Sequence, residues 1–125
     1  MRGLLAVLFV LHGLAHGVGF AVPWKLVATD DMRYTTTLLA GRLDLGETGI
    51  RVVGVLWLVI GLAFVATGIG AWMRQGWWPG AALAVASLSL VMSVLGWPDA
   101  RIGVALNAVI LLLLTLGPSL GWLDV

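Results

Sequence analysis

Residues 50–73 read IRVVGVLWLVIGLAFVATGIGAWM, an apolar run whose single charged side chain lies at its second position. A helix rises about 1.5 Å per residue, so about 20 apolar residues cross the hydrocarbon of a bilayer. Every backbone N–H and C=O needs a partner in lipid, and a helix supplies these partners within its own segment. This run therefore predicts a membrane-spanning α-helix.

Three further apolar blocks of similar length cover residues 3–22, 78–97 and 102–120. Hydrophobic residues make up 61% of the 125-residue chain and charged residues 10%, far from the balance of a soluble domain. The blocks also lack the polar stripe that a helix of a soluble bundle presents to water. We therefore predict an all-α polytopic membrane protein: one domain over residues 1–125, a four-transmembrane-helix bundle with a long loop between helices 1 and 2.

The residues at the block ends predict how the helices start and stop. Pro98 is expected at the first position of helix 4, with Asp99 in its first turn. Asp44 and Glu47, three residues later, resemble a capping box ahead of helix 2. Trp57 lies well inside a block. The other tryptophans stand at block ends, as an interfacial aromatic belt requires: Trp24, Trp72, Trp77, Trp78, Trp97 and Trp122.

The basic residues are distributed unevenly between the two ends of the bundle. The termini and the turn RQGWWPG (74–80) share one face, side A; the loop 25–49 and the turn WPDAR (97–101) share the other, side B. Because cytoplasmic loops are rich in Lys and Arg, loop 25–49 is expected in the cytoplasm. Its stretch TTTLLAGRL (35–43) predicts a lid or interfacial piece. Side B holds Lys25, Arg33, Arg42, Arg51 and Arg101, against Arg2 and Arg74 on side A.

Several functions are excluded or disfavoured by what the sequence lacks. A formal charge of +1 without a basic run excludes nucleic acid as a partner. The absence of cysteine excludes disulfides, thiol catalysis and thiolate metal sites. No phosphate loop or dinucleotide fingerprint is present. No acidic residue lies within an apolar block, which disfavours a cation-coupled transporter.

Small residues recur along one face of three predicted helices, where they would let helix backbones approach closely. Helix 1 carries the GxxxG pair Gly13 and Gly17, helix 2 carries Gly54, Gly61 and Gly68 at seven-residue intervals, and helix 3 carries Ala82, Ala86, Ser89, Ser93 and Gly96.

The stretch LHGLAHGVGF (11–20) places two histidines one helical turn apart inside an apolar block. Polar residues of the other helices fall at a matching depth from side B. Unpaired polar groups cost free energy in hydrocarbon, so we expect them to point inward together beneath the loop. The predicted ligand-binding layer is His12, His16, Trp57, Ser89, Ser93 and Asn107. Mouth or ion-pair residues are Arg42, Asp44, Arg51, Asp99 and Arg101.

Three interpretations of the histidines remain open from the residues alone. They could fix helix register by hydrogen bonds, line a small-molecule or lipid pocket, or ligate a metal or haem. Zinc has weak support, because Gly13 stands where an HExxH site has its general base. Haem would need an axial ligand from Met92 or from a second copy of the chain. No cofactor is predicted, and haem or a metal held by His12 and His16 stays an alternative.

Two stretches resemble a known family. LHGLAHGVGF (11–20) and GWPDARIGVALNAVILLL (96–113) are similar to a group of small bacterial membrane proteins with the pattern LHGxxHxxGF followed by WxDA(K/R)xGxxxN. The resemblance implies a multi-pass protein of the bacterial inner membrane, a four-helix unit and a looser similarity to DoxX-like folds. Some members carry the label ABC transporter permease, but this chain has no nucleotide-binding motif. The resemblance implies no settled activity.

The sequence therefore predicts a non-catalytic protein that binds a small apolar or lipidic molecule, or serves as an accessory subunit. A haem- or metal-binding redox protein is the alternative, and a small dimeric transporter is a second one. The expected partners are membrane lipid, a second copy of the chain or a partner membrane subunit.

Overall fold

Four α-helices and one short hairpin make up the computed structural model, which describes residues 1–124. The helices are α1 (Arg2–Ala21), α2 (Gly46–Trp72), α3 (Trp78–Leu95) and α4 (Arg101–Leu116). The hairpin pairs β1 (Thr37–Leu38) with β2 (Leu43–Asp44), antiparallel. By length and composition α1, α2 and α3 could each cross a membrane; α4 is apolar but shorter, at 16 residues. The prediction of a helical chain with several membrane-length apolar helices is confirmed.

The two ends of α4 differ from the prediction. The helix begins at Arg101, so Pro98 and Asp99 lie in the preceding turn, and their predicted helical positions are wrong. It ends at Leu116, before the predicted limit of 120. Pro118 has no N–H and cannot continue the helical hydrogen-bond ladder, which accounts for the early end.

The start of α2 is built differently from the predicted capping box. The residue before the helix is Leu45, and no side chain caps it. The Asp44 carboxylate instead accepts hydrogen bonds from the Gly46 N–H and the Thr36 hydroxyl, both at 2.9 Å. These two donors, the Gly46 N–H first, lower the pKa of the Asp44 carboxyl below its ordinary value. The carboxylate therefore fixes the turn that leads into the helix, and the capping-box prediction is wrong.

The surface of the molecule is apolar, and its interior holds polar side chains. Leu11, Leu62 and Ile102 are 61%, 62% and 75% exposed. His16 and Asn107 are 4% and 0% exposed. A protein surrounded by water shows the opposite arrangement for its largest polar and apolar side chains. This distribution suits a bundle whose outer faces contact lipid.

Helices α1 and α2 meet backbone to backbone through glycine. A Cβ added to Gly61 would lie 2.7 Å from the Gly13 carbonyl oxygen and 2.8 Å from the His16 Cβ. A Cβ on Gly68 would lie 2.7 Å from the Ala6 carbonyl oxygen. Any larger residue would force these backbones apart, so the glycines permit the close contact. The contact fixes the position of the helix that carries both histidines.

Other predicted small residues have different surroundings. Gly17 has no atom within 4 Å of an added Cβ, so it does not share the contact made by Gly13. Gly54 packs against Trp24, whose Cδ1 would lie 3.0 Å from an added Cβ. The predicted small-residue face of α3 is buried inside the bundle, with full burial at Ala82, Ala86, Ser89 and Ser93.

The hairpin of the first loop lies over the carboxyl end of α3. The Leu39 N–H donates to the Leu95 carbonyl at 2.8 Å, and the Ala40 N–H donates to the Trp97 carbonyl at 3.0 Å. Leu39 and Ala40 have φ angles of 52° and 55°, values that residues with a side chain rarely adopt. The hairpin tip is therefore held in an uncommon conformation by hydrogen bonds to the helical bundle.

We expect Gly61→Ala to lower the free energy of unfolding by about 1–3 kcal/mol, because the new methyl group overpacks the α1–α2 contact. Unfolding in detergent, followed by circular dichroism, measures the change. Gly17→Ala is the matched control: its methyl group meets no neighbour, so stability should stay the same or rise. Equal losses in both variants would contradict a close contact at Gly61.

Candidate binding site

Four polar side chains from three helices form one hydrogen-bonded network inside the bundle. His12 and His16 come from α1, Ser89 from α3 and Asn107 from α4, and all four are buried. Close backbone contacts join α1 to α2, α2 to α3 and α3 to α4. The network therefore links α1 to α3 and α4, whereas α2 packs against α1 through close backbone contacts.

Two backbone carbonyls determine the direction of every hydrogen bond in this network. The His12 carbonyl can only accept, so the His16 Nδ1–H donates to it at 2.8 Å. In a neutral ring, the His16 Nε2 then accepts from the Ser89 hydroxyl, also at 2.8 Å. The Gly103 carbonyl accepts from the Asn107 Nδ2–H at 2.8 Å, which fixes the orientation of the amide.

The remaining bonds follow from the amide orientation. The second N–H of Asn107 donates to the Ser89 Oγ at 2.9 Å, and the Asn107 Oδ1 accepts from the His12 Nε2–H at 3.2 Å. Each N–H and the carbonyl oxygen of this amide thus has a partner. A buried amide whose donors and acceptor are all paired restricts the relative positions of the helices that it joins.

Aromatic rings surround the two imidazoles. The Phe64 ring centroid lies 4.8 Å from that of His12 and 5.3 Å from that of His16. Trp57 also packs against the pair, with its centroid 5.0 Å from that of His16. A Cβ added to Gly19 would lie 2.6 Å from the Trp57 Cγ, so the glycine makes room for the indole. The imidazoles are therefore held by packing as well as by hydrogen bonds.

A cavity of about 440 Å³ opens beside this cluster, toward side B. Its volume falls within the range of about 300–1,000 Å³ typical of small-molecule sites. Polar residues line its inner end, namely His12, His16, Trp57 and Ser93. Apolar residues form its walls, among them Val18, Val22, Leu38, Ile50, Val53, Leu95, Ile102 and Leu106. The hairpin and the turn before α4 surround its mouth.

The structure separates the predicted site residues into two groups. His12, His16, Trp57 and Ser93 line the cavity, whereas Ser89 and Asn107 lie behind it and support the histidines. The hydroxyl of Ser93 is 3.5 Å from the Asn107 Nδ2, at the outer limit of a hydrogen bond. The predicted convergence of these side chains is found, while their role in binding a ligand stays a prediction.

Two polar atoms at the inner end have no protein partner within residues 1–124: the His12 Nδ1 and the Trp57 Nε1. In that part of the chain, the only unpartnered side-chain nitrogen or oxygen that is fully buried is the Arg2 Nε. The His12 and Trp57 nitrogens therefore keep accessible surface, and both residues line the cavity. In the neutral network the imidazole nitrogen is an acceptor and the indole N–H is a donor.

The predicted mouth residues are mostly placed elsewhere. Asp99 lines the cavity, but Arg42, Asp44, Arg51 and Arg101 do not. Arg51 pairs with Glu47 at 3.5 Å, and Lys25 reaches the same carboxylate oxygen at 3.3 Å. These side chains are about half exposed, so the two ion pairs contribute little to stability. No other ion pair is found among residues 1–124.

Residues of the first loop that were not among the predicted mouth residues also line the cavity. Asp31 and Arg33 line the cavity, together with Thr29, Thr35 and Thr37. Thr37 belongs to β1, and the others belong to the segment between α1 and the hairpin. Thr35 and Thr37 lie in the stretch 35–43 that the sequence predicted as a lid or interfacial piece. Asp31 and Arg33 were not predicted at the mouth, because helical periodicity carries no information about the path of the loop over the bundle.

We expect Asn107→Ala to lower the free energy of unfolding by about 2 kcal/mol or more, because it leaves the His12 N–H unpaired and opens a void. Chemical unfolding in detergent measures the loss. Ser87→Ala is the control, since its exposed hydroxyl bonds only the Leu83 carbonyl; it should change stability by less than about 0.5 kcal/mol. Similar small losses in both would show that the amide is not structurally important.

No protein-family model, curated protein or solved structure matches this chain. The resemblance to the small bacterial membrane proteins therefore stays a prediction.

Proposed function

We propose that this chain is a bacterial inner-membrane protein whose four helices all span the bilayer, and that it binds a small, largely apolar molecule without changing it chemically. The cavity beside His12 and His16 is the observation that carries the proposal, because it combines apolar walls with unpaired polar atoms at its inner end. Binding sites for small molecules have this composition.

The charges around the cavity support an apolar occupant. Three charged residues line the cavity, namely Asp31, Arg33 and Asp99, and none of them belongs to its inner end or its apolar walls. All three are exposed and lie in the loop or the turn at the mouth. A ligand that entered fully would leave water and these charges behind, which favours a molecule with little charge of its own.

The arrangement of Ser89 and His16 argues against hydrolysis. A hydroxyl that donates to an imidazole at 2.8 Å resembles the nucleophile and base of a serine hydrolase. Here the hydroxyl oxygen also accepts from Asn107, is fully buried and does not line the cavity. The His16 Nδ1–H bonds to a backbone carbonyl, where a triad would have a carboxylate. A substrate could not reach this serine.

The same network disfavours the metal or haem alternative. Both ring nitrogens of His16 are hydrogen-bonded, and only the Nδ1 of His12 is free. Ligation by both histidines would break the bond to Ser89 or to the backbone of His12. Within residues 1–124 no three His, Cys, Asp or Glu side chains cluster as metal ligands do. The dimeric transporter has no specific observation in its favour.

Val53→Phe should fill the cavity and prevent binding, because Val53 lines the cavity wall. Val52→Phe is the matched control on the outer face, where Val52 is 56% exposed. Solvent extracts of protein purified from membranes, analysed by mass spectrometry, should contain a neutral amphiphile in stoichiometric amount with the wild type and the Val52 variant. The Val53 variant should retain less than about a tenth of it. Equal content in all three proteins would refute the pocket.

The proposed orientation places side B, with its five basic residues, in the cytoplasm. The chain has no cysteine, so single substitutions give clean labelling sites. In whole cells, a membrane-impermeant maleimide should label Arg74→Cys, on side A, directly. It should label Arg33→Cys, in the first loop, only after permeabilisation. The reverse pattern would invert the orientation, and labelling of both in whole cells would contradict a cytoplasmic loop.

A further inference from the structure

We propose that the cavity selects an uncharged amphiphile with a hydroxyl group, whose O–H donates to the His12 Nδ1, while an oxygen of the same molecule accepts from the Trp57 N–H. This inference rests on the proposed function and names the class of ligand. It follows from the two unpaired polar atoms at the inner end of the cavity and from the direction of the network behind them.

The acceptor character of the His12 Nδ1 is a consequence of the network. Asn107 uses its Nδ2 on the Gly103 carbonyl, so its Oδ1 is the atom that faces His12. That oxygen can only accept, and the His12 Nε2 must carry the proton. In a neutral imidazole the other nitrogen, Nδ1, then has a free lone pair. A ligand completes the network best by donating a hydrogen bond there.

The second unpaired atom, the Trp57 Nε1, is always a donor, since an indole N–H can only donate. The position of the ring is set by its neighbours: His16 packs against Trp57 with centroids 5.0 Å apart, and Gly19 leaves no gap beside it. The N–H is thus presented in one place. A ligand that pairs both atoms at the inner end of the cavity must therefore both donate and accept a hydrogen bond.

The surroundings restrict the ligand further to an uncharged one. A carboxylate could accept from the Trp57 N–H but could not donate to His12, and no cationic side chain lies at the inner end to balance its charge. An ammonium group could donate, but the carboxylates of Asp31 and Asp99 are at the mouth. Either ion would be desolvated without a counter-charge. A hydroxyl group avoids both costs, and the apolar walls suit an alkyl or ring body.

Two neutral probes of nearly equal shape test the proposal: decan-1-ol, and methyl nonyl ether, which accepts a hydrogen bond but cannot donate one. Protein in lipid nanodiscs is equilibrated with each radiolabelled probe, and empty nanodiscs give the probe concentration in lipid. Binding is expressed relative to that concentration. The ¹H–¹⁵N resonance of the Trp57 indole, assigned with Trp57→Phe, reports whether a probe occupies the cavity.

The wild type should bind the alcohol about fivefold more tightly than the ether, the value expected for one neutral hydrogen bond. His12→Leu is the decisive variant, because leucine has no hydrogen-bonding group and removes the acceptor that faces the cavity. It should lose stability, because the Asn107 Oδ1 is left unpaired, but the folded protein, recognised by its Trp57 resonance, should bind both probes equally. Trp57→Phe should weaken both probes by a similar factor and preserve the preference for the alcohol.

The outcomes separate this inference from the proposed function. If both probes shift the Trp57 resonance but bind the wild type equally, or if His12→Leu keeps the preference for the alcohol, the hydroxyl inference is wrong and the pocket stands. If decanoate binds the wild type more tightly than decan-1-ol, the requirement for an uncharged ligand is wrong. If no probe shifts the resonance and Val53→Phe has no effect on retained amphiphile, the proposed function itself fails.

Discussion

A polar side chain inside an apolar helical bundle must find hydrogen-bond partners there, and Asn107 is the residue on which this requirement acts most strongly. Its amide is fully buried on α4 and has a partner for each N–H and for its oxygen. One partner is on α1, one on α3 and one on α4 itself. A sliding or rotation of any of these helices would leave several polar atoms unpaired at once. The amide therefore fixes the register of three helices together.

The close packing of α1 on α2 lies next to the cavity, because His16 is at the contact and also lines the cavity. Glycine lets the backbones of α1 and α2 come into contact near Gly13 and Gly61. The imidazoles lie beside this contact, packed against Phe64 and Trp57 of α2, and they reach α3 and α4 through hydrogen bonds. The cavity opens beside the rings, toward side B, where the hairpin lies over the end of α3.

Most of the helical architecture was readable from the sequence because its cause is local. Apolar length predicted the helices, and the depth of each polar residue predicted that His12, His16, Ser89 and Asn107 would meet. The predictions that were wrong concern interactions that the periodicity of apolar residues does not reveal. Asp44 bonds to Gly46 and Thr36 and forms no capping box with Glu47, Pro98 precedes α4, and Gly17 has no close neighbour. Asp31 and Arg33 were not predicted at the mouth of the cavity, because the path of the loop is set by hydrogen bonds to Leu95 and Trp97.

The completeness of the network distinguishes a purely structural role from a binding role. If the histidines served only to hold the helices, the lowest free energy would be reached with every ring nitrogen paired and the space beside them filled. His16 meets that condition, since both of its nitrogens are bonded. His12 does not, because its Nδ1 is unpaired at the end of a cavity lined by otherwise apolar walls. The two histidines therefore differ. Both ring nitrogens of His16 are paired within the bundle, whereas the His12 Nδ1 would be paired only if a hydrogen-bond donor occupied the cavity.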